Sequence, residues 1–475
     1  MPWGLAAEYL LRVLLAVAVL QQPGLGPSGR LAWLTVGFAF PLIGAPAYLL
    51  FGRARLGVIR RRRYAEVCRV IGATELRRAA AAPDHAEVPP PQFARLAALV
   101  EHGGGQPVRG GNRLDLYDGA DSFLAALERD LDGARMSAHL LFYIWLDDAA
   151  GRRIAAALVR AASRGVRCRV LLDGVGSREF LGSATCAELR ACGVEVVEAL
   201  PARLWRLLLA RLDLRNHRKI VVVDGVTGYT GSQNLAEASF ALKPKYAPWV
   251  DLMIRVQGPA VQDLEGLFAQ DWVLETEGDP NELLTPVAAA RAAGSQVQIA
   301  GTGPFGQNEA LREFALTALH SAREEVILTT PYFVPDSPLL NALMATARGG
   351  VSTTLVVPAR NDSRWVAAAS RGHYEALMDA GVRIYEYAPG LLHAKTLTVD
   401  RGLAVVTTAN MDRRSFDLNF EVSTVVYDSD FASRLRMLQR SYLGKSQPVD
   451  PAAWRARPEW RRFAENAAGL LTPLL

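Results

Sequence analysis

Runs of apolar positions divide the chain into a hydrophobic N-terminus and a long region in which apolar and polar positions alternate. No residue from Leu31 to Phe51 is charged, and a helix of this length spans about 31 Å, the thickness of a bilayer's hydrocarbon core. An earlier run, Leu5–Leu20, contains Glu8 and Arg12, which are four apart and therefore share one helical face. We predict two transmembrane helices within residues 1–52. A buried core helix is the alternative for the second run.

A basic segment follows the second apolar run directly. Six arginines lie between Arg53 and Arg63, whereas the loop between the two apolar runs contains Arg30 alone. Positive residues beside a membrane helix stay on the cytoplasmic side, and they attract anionic headgroups. We therefore expect a multi-pass protein of the plasma (inner) membrane whose remaining chain lies on the cytoplasmic face. Residues 53–105 are predicted to be a basic juxtamembrane segment and linker.

The rest of the chain shows the same order of elements twice. Amphipathic stretches of helical period lead through a Gly-Val break into short β-branched runs, as Leu189–Leu200 and Leu377–Ala388 illustrate. This pattern is typical of α/β units. We predict two duplicated α/β domains, residues 106–290 and 291–475. The first copy is longer within Ala202–Arg215, a basic and apolar segment that fits either an interfacial helix or an ordinary core helix.

Each copy contains the same set of polar residues. The first set is His217, Lys219, Asp224, Ser232 and Asn234, and the second is His393, Lys395, Asp400, Thr408 and Asn410. In a strand, residues two apart share a face and residues an odd number apart do not. Each His and Lys should therefore point to one side, while the Asp serves as a structural anchor. One His-x-Lys is most often a solvated strand end, but two matching copies indicate a composite active site.

These residue types suit phosphodiester chemistry. Its transition state needs positive charge and hydrogen-bond donors at the equatorial oxygens, with a nucleophile and a proton source in line. The two lysines, two hydroxyls and two amides supply the donors. One histidine would attack phosphorus while the other protonates the leaving alcohol. No carboxylate or Cys/His cluster has the spacing of metal ligands, so we expect neither a metal nor a cofactor.

The doubled HxKxxxxD motif with its trailing GSxN resembles the phospholipase D superfamily. Stretches such as RNHRKIVVVDG, TPYFVPD and LLHAKTLTVD narrow the resemblance to bacterial cardiolipin synthases, over nearly the whole chain. The resemblance implies two phospholipase D-like α/β repeats packed face to face around a shared active site. It also implies condensation of two phosphatidylglycerols into cardiolipin and glycerol through a phosphohistidine intermediate.

The resemblance assigns roles to individual residues as well. It implies that His217 is the nucleophile and His393 the general acid and base. The family's histidine-orienting carboxylates correspond to Asp251 and Glu421. The second copy departs from the usual Gly-Ser pair at Thr407, where a β-branched side chain replaces a turn glycine.

The net charge of the chain and the presence of two complete motifs help to decide between a lipid enzyme, a nuclease and an inactive scaffold. The net charge of +5 over 475 residues favours an anionic partner, either nucleic acid or an acidic membrane. No stacking aromatics are interleaved with the basic residues, as nucleic-acid binding would favour. We expect a membrane-embedded enzyme that acts on phosphatidylglycerol among anionic membrane lipids, and not on nucleic acid. The alternatives are a phospholipase D-type hydrolase, a phosphatidyltransferase with another acceptor and a membrane-tethered nuclease. An inactive scaffold fits poorly with two complete motifs.

Overall fold

The fold has two compact units. A computed structural model describes residues 2–22, 25–52, 58–81, 87–201, 214–240, 242–276, 278–284, 293–305 and 308–470. The described residues up to 62 belong to the first unit and those from 63 onward to the second. The segment Ala202–Arg215, predicted as an interfacial or a core helix, falls mostly outside the described residues. Only Leu214 and Arg215 of this segment are described, and both are buried.

The first unit consists of packed helices. They are α1 (Pro2–Leu20), α2 (Pro27–Ala39) and α3 (Pro41–Ala47), followed by a π-helical turn at Tyr48–Gly52. Leu15 and Val19 pack against Tyr48, whose hydroxyl donates to the carbonyl of Ala18 at 2.8 Å. Gly37 permits this close packing, because a Cβ there would lie 2.1 Å from Cδ2 of Leu15.

The predicted continuous helix over Leu31–Phe51 is wrong. Phe40, with φ of −137°, ends α2, and Pro41, which has no N–H to donate, begins α3. Glu8 and Arg12 share one face of α1, as predicted, and form a salt bridge of 2.7 Å. Within the described part of the chain, no helix combines the length and the apolar character that a membrane crossing requires.

The second unit alternates helices and strands, and its first helix begins at Val58, among the last residues assigned to the first unit. Its helices are α4 (Val58–Ala81), α5 (Ala94–His102), α6 (Ala120–Asp132), α7 (Ala149–Ser163), α8 (Arg178–Leu181), α9 (Ala184–Ala191), α10 (Ala260–Thr276), α11 (Asn308–Ser321), α12 (Ser337–Arg348), α13 (Arg364–Gly372), α14 (Tyr374–Asp379), α15 (Arg413–Asp417), α16 (Ser429–Leu443), α17 (Pro451–Arg455) and α18 (Glu459–Gly469). Its strands are β1 (Arg109–Tyr117), β2 (Ser137–Phe142), β3 (Arg167–Asp173), β4 (Glu195–Ala199), β5 (Ile220–Val223), β6 (Thr227–Gly231), β7 (Trp249–Val250), β8 (Met253–Gln257), β9 (Ser295–Thr302), β10 (Glu325–Thr329), β11 (Phe333–Val334), β12 (Ser352–Pro358), β13 (Arg383–Tyr387), β14 (Leu391–Leu392), β15 (Thr396–Val399), β16 (Leu403–Thr407), β17 (Met411–Asp412), β18 (Glu421–Val426) and β19 (Ser446–Pro448).

One mixed sheet contains both repeats. Among the described strands its order is β19-β13-β12-β10-β15-β16-β18-β9-β1-β8-β6-β5-β2-β3-β4. From the centre outward, the first repeat reads β1-β8-β6-β5-β2-β3-β4 and the second reads β9-β18-β16-β15-β10-β12-β13, so corresponding strands occupy corresponding places. The predicted α/β fold with two repeats is confirmed. The predicted face-to-face packing of the two repeats is wrong, because their strands form one sheet. The two halves of this sheet join edge to edge through the antiparallel pair β1 and β9.

Helices cover both faces of this sheet, which explains why the motif strands are apolar throughout. In β5, Ile220 and Val222 belong to the core that includes α10, whereas Val221 and Val223 belong to the core that includes α6 and α7. A strand buried on both faces has no polar face to alternate with. The second repeat is built in the same way, with α16 on one face and α11 and α12 on the other.

The described part of the predicted linker, residues 53–105, contains structure of its own. Helix α4 contributes Val67 and Ile71 to the core on the α10 face. Helix α5 contributes Leu96 and Val100 to the core of the second repeat. The chain is therefore packed against the sheet before the first strand begins.

Candidate active site

The two motif histidines lie on extended segments that run beside segments of the other repeat. His217 precedes β5, and its N–H donates to the carbonyl of Phe420 at 2.9 Å, just before β18. His393 follows β14, and its N–H donates to the carbonyl of Val250 at 2.8 Å, at the end of β7. The residue after each of these carbonyls is a carboxylate. The backbone pairing therefore brings each histidine next to a carboxylate of the opposite repeat.

These carboxylates hold the imidazoles. Nδ1 of His217 donates to both oxygens of Glu421, each at 3.0 Å. Nδ1 of His393 donates to Asp251 at 2.7 Å. The resemblance named the two carboxylates without pairing them, and the structure pairs them across the repeats. Because neither histidine is oriented from within its own repeat, the two halves form a single site.

Ser232 and Thr408 hold the carboxylates in turn. The Ser232 hydroxyl donates to Asp251 at 2.6 Å and accepts the N–H of Leu252 at 3.0 Å. The Thr408 hydroxyl donates to Glu421 and accepts a backbone N–H at 3.0 Å. A hydroxyl has one proton to donate. The structure thus places both side chains as supports of the carboxylates rather than as donors to a phosphate.

The turns that carry these hydroxyls differ at one position. Gly231 has φ of +152°, and a Cβ there would lie 2.2 Å from the carbonyl oxygen of Leu252. Thr407 takes the equivalent place without a positive φ, and its hydroxyl accepts a backbone N–H at 3.0 Å. Asn234 and Asn410 are buried beyond the two turns. The amide oxygen of Asn234 accepts a backbone N–H at 3.2 Å, so its NH₂ group faces away from that contact.

Asp224 and Asp400 lie at the far ends of the motif strands, away from the histidines. The Asp224 carboxylate accepts the backbone N–H groups of Arg135–Ser137 at 2.7 to 2.9 Å. The Asp400 carboxylate accepts those of Arg323–Glu325 at 2.7 to 3.2 Å. Both residues have φ of +53°. These contacts fix the turn after each motif strand to the start of the neighbouring strand, which is an anchoring arrangement.

Two buried lysines supply positive charge beside the histidines. Nζ of Lys219 donates to the carbonyl of His217 at 2.8 Å, and Nζ of Lys395 donates to that of His393 at 2.7 Å. Nζ of Lys395 also lies 3.2 Å from Nε2 of His393. Burial lowers the pKa of Lys219 to about 7 and that of Lys395 to about 8, against the opposing pull of the nearby carboxylates. A phosphodiester anion in this space would restore both charges.

Burial also lowers the pKa of both histidines, to about 4 for His217, although the facing carboxylates oppose the shift. Burial alone would raise the pKa of each carboxylate. The histidine and lysine that face each carboxylate outweigh this effect of burial. They lower the pKa of Asp251 to about 2 and hold the pKa of Glu421 below its usual range. Each histidine is therefore neutral near pH 7, with its proton on Nδ1 facing the carboxylate. The charges of both lysines act on both imidazoles.

Two tyrosines that the sequence analysis did not select also line the site. The Tyr143 ring lies 5.0 Å from the His217 ring at 66°, and the Tyr332 ring lies 6.5 Å from the His393 ring at 78°. The Tyr332 hydroxyl donates to Asp362 at 2.7 Å. Each tyrosine follows the strand that pairs with a motif strand. The two tyrosines lie in the stretches LLFYIW and TPYFVPD, which follow corresponding strands of the repeat, although Tyr332 aligns with Ile144 and not with Tyr143.

A buried arginine connects the repeats behind His217. Arg218 donates to the carbonyls of Glu421 and Thr302 at 3.0 and 3.1 Å and pairs with Asp271 at 2.9 Å. Asp271 also accepts Nδ2 of Asn216 at 2.9 Å. The residues on both sides of His217 are therefore fixed, and the imidazole is held at its backbone as well as at Nδ1.

The arrangement provides two imidazoles with oriented Nε2 atoms and two lysines at one buried site. Such a site can form a phosphorus–nitrogen bond with one histidine while the other transfers a proton. In the described part of the chain, no three His, Cys, Asp or Glu side chains converge in a geometry for a metal ion.

Comparison with known proteins agrees with this geometry. Residues 127–272 and 315–440, together more than half of the chain, match the family described as "Cardiolipin synthase, PLD-like domain". Residues 10–53 match the family described as "Phospholipase_D-nuclease N-terminal". The chain belongs to the phospholipase D-like cardiolipin synthase family.

Individual relatives match over the full length. Cardiolipin synthase A of Edwardsiella ictaluri is 38% identical over 485 residues, which cover 100% of this chain and 97% of that protein. Cardiolipin synthase A of Serratia proteamaculans is 38% identical over 483 residues, with the same coverage. Among solved structures, phosphatidylserine synthase of Haemophilus influenzae superposes with a TM-score of 0.57 at 13% identity, covering 80% of this chain and 99% of that one. This last likeness concerns the fold alone.

Proposed function

We propose that this protein is a cardiolipin synthase, which condenses two phosphatidylglycerols into cardiolipin and glycerol. The observation that carries the proposal is the pair of histidines held across the repeats by Glu421 and Asp251. Two such imidazoles allow a double displacement, in which each phosphatidyl transfer proceeds through the enzyme. The full-length similarity to proteins named cardiolipin synthase A supports the choice of lipid.

The first displacement forms the intermediate. Nε2 of His217 attacks the phosphorus of one phosphatidylglycerol, and the phosphorus–oxygen bond to the headgroup glycerol breaks. His393, protonated in the lipid complex, gives its Nε2 proton to the departing glycerol oxygen. Asp251 holds that imidazole, and Glu421 stabilises the positive imidazole formed on His217. His217 suits the nucleophilic role because its Nε2 has no hydrogen bond within the described chain, whereas Nε2 of His393 contacts Lys395.

The second displacement releases the product. A headgroup hydroxyl of another phosphatidylglycerol gives its proton to His393, attacks the phosphorus and displaces His217. Lys219 and Lys395 balance the negative oxygens in both transition states, because an anion between them restores their charge. If water takes the place of the second lipid, the product is phosphatidic acid.

A labelled-lipid assay tests this proposal. Purified full-length protein is incubated with phosphatidylglycerol labelled in its phosphate, and the products are separated. Labelled cardiolipin with an equal amount of free glycerol is expected. Phosphatidic acid as the main product would show a hydrolase, and a product formed only when phosphatidylethanolamine is added would show another acceptor. Either result would contradict the synthase.

The N-terminal unit is proposed to be the membrane anchor of the enzyme. Its helices leave large apolar side chains exposed, including Leu5 at 71% and Leu42 at 78%. The arginines of α4 at Arg60–Arg63 favour the cytoplasmic side for the chain that follows. We place the repeats at residues 106–290 and 291–475, on the cytoplasmic face of the plasma membrane. A reporter fused after Leu475 should be active only in the cytoplasm, and activity outside would overturn this topology.

A further inference from the structure

Helix α18 exposes large apolar side chains on the side that faces away from the protein. Trp460, Phe463 and Leu470, which directly follows the helix, are 66%, 75% and 81% exposed. Their spacing of three and seven residues places them on one helical side. Glu465 and Ala468 on the opposite side are buried. One side of the helix is therefore buried against the protein, and the opposite side carries an exposed apolar stripe.

The inner side of α18 packs on α13 in antiparallel fashion. A Cβ on Gly372, at the end of α13, would lie 3.5 Å from the carbonyl oxygen of Glu465. Earlier in α13, Ala369 packs with Ala468, later in α18. The start of α13 therefore lies toward the Leu470 end of the stripe. Trp365 stands at that start and is 60% exposed, so another large apolar side chain is exposed at the Leu470 end of the helix pair.

This surface reaches the rim of the candidate active site. Asp362, three residues before Trp365, accepts the hydroxyl of Tyr332 at 2.7 Å. The Tyr332 ring lies 6.5 Å from that of His393. The loop that leads into α13 therefore borders the site directly, and the stripe on α18 extends outward from it.

The charges around the stripe are mainly positive. Arg360, Arg364 and Arg461 are exposed and make no ion pair within the described chain, and the guanidinium of Arg461 stacks over Trp460 at 5.3 Å. Glu459, in the first turn of α18, is the single acidic residue on the exposed side of this helix. Aromatic rings flanked by arginines suit the interface of an anionic bilayer, where rings lie at headgroup depth and arginines meet phosphates.

We propose that α18 and the start of α13 form an interfacial docking surface that seats the active-site rim on an anionic lipid bilayer. This docking surface comprises Trp365 on α13 together with Trp460, Phe463 and Leu470, which form the stripe on α18. The proposal rests on the proposed function, because a lipid substrate must pass from the bilayer into a site whose histidines are buried. Docking at the rim shortens that transfer. It acts in addition to any anchor at the N-terminus.

A fluorescence experiment on the full chain tests the docking surface. An environment-sensitive fluorophore is attached to Phe463→Cys in a Cys192→Ser background, because Cys192 is the exposed native cysteine. Met437 on α16, 65% exposed, provides the matched control as Met437→Cys. In vesicles of phosphatidylglycerol and phosphatidylethanolamine, the label at 463 should shift to the blue and be quenched by nitroxide-labelled lipids. The shift should weaken in phosphatidylcholine vesicles, and the label at 437 should stay in water.

Two other outcomes of this experiment would refute the proposed docking surface. A label at 463 that stays in water in every vesicle would overturn the proposal. A blue shift without lipid quenching would indicate a second copy or another protein on the stripe, and would overturn it equally. None of these readings depends on catalysis, so they remain informative even if the lipid chemistry proves different.

A kinetic experiment adds a functional readout. The double variant Trp460→Ser, Phe463→Ser should lower cardiolipin formation about tenfold in vesicles with sparse phosphatidylglycerol, since two large apolar contacts with lipid are lost. In detergent micelles with saturating substrate its rate should equal that of the wild type. An unchanged rate in vesicles, or an equal loss in micelles, would contradict docking. Absence of cardiolipin with the wild-type protein would refute the proposed function instead.

Discussion

Replacing Glu421 by Gln should slow cardiolipin formation by about a thousandfold. Glu421 is fully buried, and both its oxygens accept Nδ1 of His217 at 3.0 Å. Thr408 and Asn419 donate to the same carboxylate, so the side chain has no freedom to find another partner. Gln fills the same volume and keeps an acceptor oxygen, but it removes the negative charge that faces the imidazole.

The magnitude follows from that charge. When His217 attacks phosphorus, its imidazole becomes positive. Because Nδ1 lies 3.0 Å from each carboxylate oxygen, we take the centres of the two charged groups to be about 4 Å apart. At an effective dielectric constant of about 20, this attraction is about 4 kcal/mol. Since about 1.4 kcal/mol corresponds to a tenfold change in rate, its loss slows the step about a thousandfold. The amide NH₂ group of Gln can also turn toward Nδ1 and favour the wrong tautomer, which adds to the effect.

The assay measures phosphatidyl transfer at saturating phosphatidylglycerol, with thermal unfolding as a check on the fold. Asp263→Asn is the matched control, because Asp263 is a buried carboxylate that pairs with Arg109 at 3.2 Å, away from the histidines. This control should lower stability and leave the rate per folded molecule near that of the wild type. If the Glu421 variant keeps its rate within tenfold, or if the control loses as much, the orienting role of Glu421 is wrong.

Three further predictions concern the histidines, the pH dependence and the strand anchors. Asn at either His217 or His393 should lower turnover about a thousandfold or more, and the double variant should lose little more, because the two act as a unit; near-normal turnover in a single variant would refute this. Because His393 must be protonated to release glycerol and burial lowers its pKa from 6.5, kcat/KM should fall as pH rises above that value. KM for the lipid should rise above pH about 7, where Lys219 loses its charge, and a kcat/KM that increases between about pH 6 and about pH 8 would contradict the assignment. Asp400→Ala leaves three backbone N–H groups without their acceptor, so denaturant titration should show a loss of about 3 kcal/mol; an unchanged midpoint would exclude the anchoring role.

Much of the fold could be predicted from the sequence, because the same order of helices and strands occurs in both copies. The repeat predicted two α/β halves, and the sheet contains the same strand order twice. Strand parity separated Asp224 from His217, and the structure places that aspartate on a backbone anchor. The edge-to-edge joint was not readable, because β1 and β9 pair across the boundary between copies without any shared motif.

The pairing within the site could not be predicted either. His217 and Glu421 are separated by 204 residues, and only the contact between the segments before β5 and β18 selects that carboxylate over Asp251. The break at Phe40 was visible as Pro41, but a proline is tolerated in a membrane helix, so the apolar run alone favoured one continuous helix. Tyr143 and Tyr332 were harder to predict, since they follow corresponding strands but do not align with each other in the two copies.

Trapping the intermediate tests the central claim most directly. The wild-type enzyme is mixed with phosphatidylglycerol labelled in its phosphate, turnover is stopped within milliseconds under conditions that preserve phosphohistidine, and the labelled peptide is identified. The mechanism predicts label on His217, formed and lost at rates that match cardiolipin synthesis, and no labelled protein from the His217→Asn variant. Label on His393 alone would reverse the two roles. Cardiolipin formation with no labelled enzyme at any time would contradict the phosphohistidine mechanism itself.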